Sequence, residues 1–171
     1  MPRAAREWAC VTRNALLVFA IAACACDDSV GPTDERRALR DNRRLFEREV
    51  GASYSYDYRN VRFAVGPIVE PVRIRVRAAT IVSVVSLATG QNVPPDAWHH
   101  YETVLGLFTT IEAAYENNAA EVRVEYHRQY GYPTDVYIDR DRRIADEEAG
   151  YTLQNLTPES GVVGLHYERQ R

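Results

Sequence analysis

Two runs of strict alternation set the terms on which this chain can fold. Tyr54, Tyr56 and Tyr58 take turns with Ser55, Asp57 and Arg59, and Val72, Ile74 and Val76 take turns with Arg73, Arg75 and Arg77. A period of two sends successive side chains to opposite faces of a strand, so each run has one apolar and one polar face. Strands of that kind belong to an antiparallel sheet with one face in a core and the other in water. The apolar face needs a cover, and the rest of the chain supplies it.

The covers are helices. Thr33 suits the cap of a helix that opens with Asp34 and Glu35, acids placed where the helix dipole favours them, and that runs to about Val50 with Gly51 as its stop. Leu39, Phe46 and Val50, flanked by Ala38 and Leu45, fall on one side of it, and Arg36, Arg37, Arg40, Arg43, Arg44 and Arg48 take the rest. A second helix begins near Thr103, carries Val104, Phe108, Ile111 and Tyr115 at i, i+4, i+7 and i+11, and ends at Asn117 and Asn118.

Between the helices, Ile81 to Leu87 follows Ala78 and Ala79 as a third strand, and residues 88–100 form the longest loop. After the second helix, Val122, Val124 and Tyr126 alternate with Arg123, Glu125 and His127. Tyr130, Gly131, Tyr132 and Pro133 make a turn, Val136 and Ile138 lead a strand, and Tyr151 to Leu156 forms the last one. The predicted order is α-β-β-β-α-β-β-β: an α+β two-layer domain, with an antiparallel sheet and helices on one face. The two halves share an element order, although no residue-level repeat relates them.

At 171 residues, 46% hydrophobic and 26% charged, the chain has the composition of one globular domain, assigned to residues 33–171. Residues 1–23 stand outside it. Arg3, Arg6 and Arg13 make a cationic lead, Ala15 to Ala23 is an apolar run, and small residues close it, which is the layout of a secretory signal peptide. The run is far shorter than the ~20 residues of a membrane-spanning helix. Ile21-Ala22-Ala23-Cys24 resembles the lipobox of bacterial lipoproteins, whose cysteine receives a diacylglycerol and becomes the first residue. Lipidation at Cys24 makes the membrane a partner through that lipid. The alternative is ordinary secretion with cleavage near Ala23 or Ala25. A frame ending at Cys26 lacks the branched apolar residue.

Residues 24–32 then form a short polar tether, punctuated by Gly31 and Pro32. An aspartate directly after a lipidated cysteine resembles an inner-membrane retention signal. Cys24 is followed by Ala25, so the expected address is the outer membrane, facing the periplasm. With Cys10 removed and Cys24 capped, Cys26 is left alone and no intradomain disulfide is possible.

Loss of residues 1–23 removes Arg3, Arg6, Arg13 and Glu7, taking the 21 basic and 24 acidic residues to 18 and 23, a net charge of −5. Such a balance does not point to nucleic acid. All 21 basic residues are arginine. The absence of lysine follows GC-rich codon usage, and it excludes a lysine nucleophile or Schiff base.

From Tyr54 onward the chain resembles a family of bacterial envelope lipoproteins known as domain of unknown function family 6174. The residues that carry the likeness are Tyr54-Ser55-Tyr56, Pro71-Val72-Arg73-Ile74, Gly106-Leu107-Phe108 with Ile111-Glu112, Tyr130-Gly131-Tyr132-Pro133-Thr134, and Ile138-Asp139 through Ile144-Ala145-Asp146-Glu147-Glu148 into Tyr151-Thr152. The likeness covers about residues 45–157. Many members of that family carry cysteines between the first two strands, where this chain has Val61 to Pro67, so a crosslink or thiol site there is not general. The resemblance implies a fold and an envelope address, with no established activity.

Candidate chemistry is sparse. Asp139 to Glu148 is the densest acid cluster, yet Arg143 stands where a calcium loop needs an acid and Ile144 where it needs glycine. That stretch reads as a salt-laced connection rather than a metal site. His99 and His100, with His127, are the residues on which a metal-dependent hydrolase would have to be built together with the acidic loop 139–148. Adjacent histidines point apart and lack a further fixed ligand. No nucleophile elbow, Cys–His pair or phosphate-binding glycine loop appears. The expectation is therefore no catalytic residue, no metal and no cofactor.

Arg73, Arg75 and Arg77 are the candidate binding residues. They share one strand face about 7 Å apart, where guanidinium forks can grip carboxylate or phosphate. Cross-strand pairing with Asp57 or Glu125 is the competing use. The first expectation is a non-catalytic interaction module that uses this face and the 88–100 loop against an envelope protein or an anionic polymer. An envelope assembly accessory is a further alternative.

Overall fold

Gly51 is where the chain changes from a helical period to an extended one, and its φ of +74° shows how. The amides of Val50 and Gly51 both donate to the Phe46 carbonyl, at 2.9 and 3.3 Å, a closure that glycine permits because it has no Cβ. This ends α1, Pro32–Glu49. The computed structural model describes residues 32–62, 70–144 and 148–159. The expected signal peptide at residues 1–23, Cys24, nearly all of the expected tether and residues 160–171 lie outside the described residues.

Six strands follow: β1 (Tyr54–Arg62), β2 (Val72–Arg77), β3 (Thr80–Ser86), β4 (Glu121–Tyr126), β5 (Pro133–Asp139) and β6 (Ala149–Pro158), with α2 (Val104–Glu116) between β3 and β4. They form one sheet ordered β3-β2-β1-β6-β5-β4, with every neighbouring pair antiparallel. The fold is thus α+β, in the expected strand and helix order. One element was not expected: a 3-10 helix, Pro95–His100, sits inside the long loop. Pro95 follows Pro94, whose extended backbone restricts where a helix can begin.

Two three-stranded meanders meet at the β1–β6 seam. Tyr58 faces Leu153 and Asn60 faces Tyr151 across it, and Tyr56 faces Ile74 on the other side of β1. The shared element order of the halves does not become a shared arrangement. A rotation about the sheet normal would place β4 beside β1, whereas β6 occupies that position.

The buried face of the sheet carries Tyr54, Tyr56, Tyr58, Val72, Ile74, Val76, Val136, Ile138, Tyr151 and Leu153. The Phe46 ring of α1 meets the Tyr54 ring edge-on at 5.2 Å, and the Val104 amide at the start of α2 donates to the Tyr54 hydroxyl at 3.2 Å. Both helices therefore lie on the tyrosine side. Thr103 caps α2 by accepting from the Gly106 amide at 3.0 Å. The β4–β5 turn presses on α1: a Cβ at Gly131, where φ is +71°, would stand 2.4 Å from the Asn42 carbonyl oxygen. Only glycine fits there.

Candidate functional site

The side of the sheet away from the helices carries the arginines. β2 alternates buried Val72, Ile74 and Val76 with more exposed Arg73, Arg75 and Arg77. Register sets Arg73 opposite Asp57, and the Arg73 guanidinium donates to the Asp57 carboxylate. The Asn155 side-chain amide donates to the other oxygen of Asp57 at 2.7 Å. Arg75 donates to Glu159, and Arg77 stands 3.5 Å from the same carboxylate. The Arg75 hydrogen bond, with Arg77 beside it, holds the Glu159 carboxyl below its usual range.

Asp57 was legible as a partner, because it alternates with the tyrosines on β1. Glu125 is not one: it lies on β4, at the far edge of the sheet. Glu159 takes its place. It reaches the ladder because β6 extends to Pro158 and the Glu159 amide donates to the Ser53 carbonyl at 2.8 Å. Nothing in the local sequence marks it, since the contact depends on which strand lies beside β1.

The 88–100 loop builds a groove against the start of β2. Val93 donates its amide to the Val84 carbonyl at 2.8 Å and Ser86 donates to Gln91 at 2.9 Å, so the loop returns along β3. Trp98 fastens it from within by donating Nε1–H to the Val93 carbonyl at 2.9 Å. The resulting cavity of about 400 Å³ is walled by Val72, Val93, Pro94, Ala97 and Tyr101, with polar Glu70, Gln91, Asn92 and His100. Leu87, an exposed large apolar side chain, lines a neighbouring depression with Pro71, Tyr58 and Asp57.

Against the expectation that adjacent histidines point apart, the His99 and His100 ring centroids lie 3.8 Å from each other, but His127 does not join them. His99 and His100 end the 3-10 helix, and His100 lines the groove beside β2 and β3. His127 follows β4, the opposite edge strand. Its Nδ1 accepts from the Tyr130 amide at 3.2 Å, and its ring stacks on Tyr130 and Tyr132 at 5.3 and 4.9 Å. That bond keeps the proton on Nε2, so a metal at Nε2 would require protonating Nδ1 against an amide N–H. The acidic loop leaves β5 at its other end, ~20 Å along the strand from the His127 end.

Within that loop, Asp141 accepts from the Arg143 guanidinium at 2.9 and 2.7 Å and from its amide at 3.0 Å, which holds the Asp141 carboxyl low. Arg123 and Arg142 approach Glu121 at 3.1 and 3.6 Å. Among the described residues, no group of three or more His, Cys, Asp or Glu side chains is placed to hold a metal ion. No helix among them is long and apolar enough to cross a membrane.

Fold and surface together define a small α+β domain with an open six-stranded antiparallel sheet, an arginine–acid ladder and a groove beside one edge. A family model described as "Family of unknown function (DUF6174)" matches residues 38–158, well over half of the chain. The chain belongs to this family. Searches of curated proteins and of solved structures return no significant match.

Proposed function

We propose that this protein is a lipid-anchored bacterial envelope module, held at Cys24, that binds a partner protein without catalysing a reaction. Its partner presents apolar side chains to the groove beside the 88–100 loop, and Arg73, Arg75 and Arg77 form the charged margin of the contact. The observation that carries this reading is the groove itself, a concavity of about 400 Å³ with an apolar wall and a few polar groups, together with the exposed Leu87 just past the end of β3. Such a combination suits recognition of a protein segment. The ladder alone does not favour an anionic polymer, because Asp57 and Glu159 already engage its arginines. Signal peptide, lipobox and tether support the address: the outer membrane, facing the periplasm.

A photo-reactive residue at Gln91 tests the groove in native envelopes. A partner captured there, absent from a control site at Gln129 and lost on Leu87→Asp without a change in melting temperature, supports the reading. Equal capture at both sites overturns it. Replacing Arg73, Arg75 and Arg77 by Ser in the same experiment reports whether the ladder shares the contact.

A further inference from the structure

The outward side of α1 has a use that the groove does not explain. Leu39, Phe46 and Val50 are buried in the core. At helical spacing, Arg37, Arg44 and Arg48 fall on the opposite side, with Arg40 on the flank beside Glu112 and Glu116 of α2. The side chains of Arg37, Arg44 and Arg48 are 69%, 74% and 65% exposed. Asp34 and Asp41 reach Arg37 and Arg44 only at 3.8 Å, both in exposed pairs, and Glu49 meets Arg48 at 2.8 Å. Exposed pairs of this kind hold weakly, so a phosphate that takes two N–H donors of a guanidinium competes with them. Among the described residues, Arg40 has no ion pair.

We infer that this ridge docks on anionic phospholipid headgroups of the membrane that holds the lipid. The inference rests on the proposed anchor at Cys24. The position of the helix supplies the second ground. Seven residues, or eight Cα-to-Cα steps, lie between Cys24 and Pro32, where α1 begins; fully stretched those steps span at most ~28 Å, and as a flexible chain ~15 Å. Even the stretched reach is only about the length of α1, ~27 Å from end to end. A helix tethered so close can lay its exposed side within a Debye length of the headgroups, where arginines gain most. Docking this way turns the helices to the membrane and the arginine–acid ladder of the sheet to the aqueous side.

The chain from Ala25 onward tests the ridge without the lipid, and it retains the whole core, which lies between Leu39 and Leu156. It is sedimented with vesicles of phosphatidylcholine alone or mixed with phosphatidylglycerol. The expected result is binding to the mixed vesicles only, abolished by high salt. Combined Arg37→Gln, Arg40→Gln, Arg44→Gln and Arg48→Gln weakens it by about tenfold or more at an unchanged melting temperature, whereas Arg73→Gln, Arg75→Gln and Arg77→Gln together leave it intact. Absence of binding to mixed vesicles, or equal binding by the α1 variant, overturns the inference. Equally tight binding of soluble polyphosphate assigns the ridge to a polymer and overturns the lipid assignment. The anchor is tested separately by the mass of the mature protein: an unmodified Cys24 removes the anchor and leaves the vesicle result standing on its own.

Discussion

On β1, neighbouring residues have opposite roles. Tyr54, Tyr56 and Tyr58 enter a column of rings at centroid spacings of 5.7 and 6.2 Å, continued to Phe46 at 5.2 Å and Tyr151 at 6.4 Å. Asp57, on the other side, gives its carboxylate to Arg73. The column is apolar in bulk but tied at its tips: Tyr56 donates its hydroxyl proton to the Glu102 carbonyl, and Tyr54 accepts from Val104, so two tyrosines fasten the entry of α2 to the sheet. The ladder spans strands without closing any cavity. Stability resides in the column, and the exposed ladder adds little to it.

The most direct attempt to break that division is Phe46→Ala, which empties the space where α1, α2 and the tyrosine column meet. It should cost about 4 kcal/mol by denaturant unfolding. Tyr54→Phe keeps the ring and removes the acceptor of the Val104 amide, a loss of about 1 kcal/mol at neutral pH.

Burial raises the Tyr54 hydroxyl from 10.0 to about 12, and Tyr56 moves in the same direction for the same first reason. Between pH 10 and 12 the unfolded chain therefore releases protons that the folded chain keeps. The unfolded state then binds fewer protons, so stability is complete below pH 10 and falls as pH rises. Thermal melts across that interval should show the fall, and Tyr54→Phe should lessen it. Lysine, absent from this chain, adds no titration there.

A change in the other direction lies at the β2–β3 turn. Ala78 and Ala79 have φ of 47° and 63°, left-handed values that Asn and Gly adopt with less strain. Ala78→Asn with Ala79→Gly should raise stability by about 1 kcal/mol, read as a higher denaturation midpoint. The smallest effect belongs to the ladder. Arg73→Gln should cost less than ~1 kcal/mol in the same measurement, and less still at high salt. A loss as large as that of Phe46→Ala would overturn the division between the two faces.

Much of the fold was legible because its period is clean. Alternation at 54–59 and 72–77 marked strands that the structure contains, and Leu39, Phe46, Val50, Val104, Phe108 and Ile111 are all buried. Leu107 was missed: it is fully buried as well, because α2 is covered over a wider arc than a single stripe. The 3-10 helix was hidden in a segment read only as proline-rich and irregular. The ladder's other acid was not readable for a different reason. Periodicity says which face a residue takes, but strand order decides which residues share it, and only the β1–β6 pairing brings Glu159 to Arg75. The groove had the same obstacle, since it needs the 88–100 loop to fold back along β3.

The β1–β6 seam also bears on how the chain is made. The first strand of the sheet lies beside its last, so when synthesis has reached the end of β3, one edge of β1 still lacks its neighbour. That neighbour is completed only at Pro158, near the end of the chain. Pairing across such a sequence separation is slow, because loop closure must be met before the contacts form. A chain built this way cannot finish its sheet until Pro158 has been made, so the β1 edge stays open through the synthesis of α2, β4 and β5.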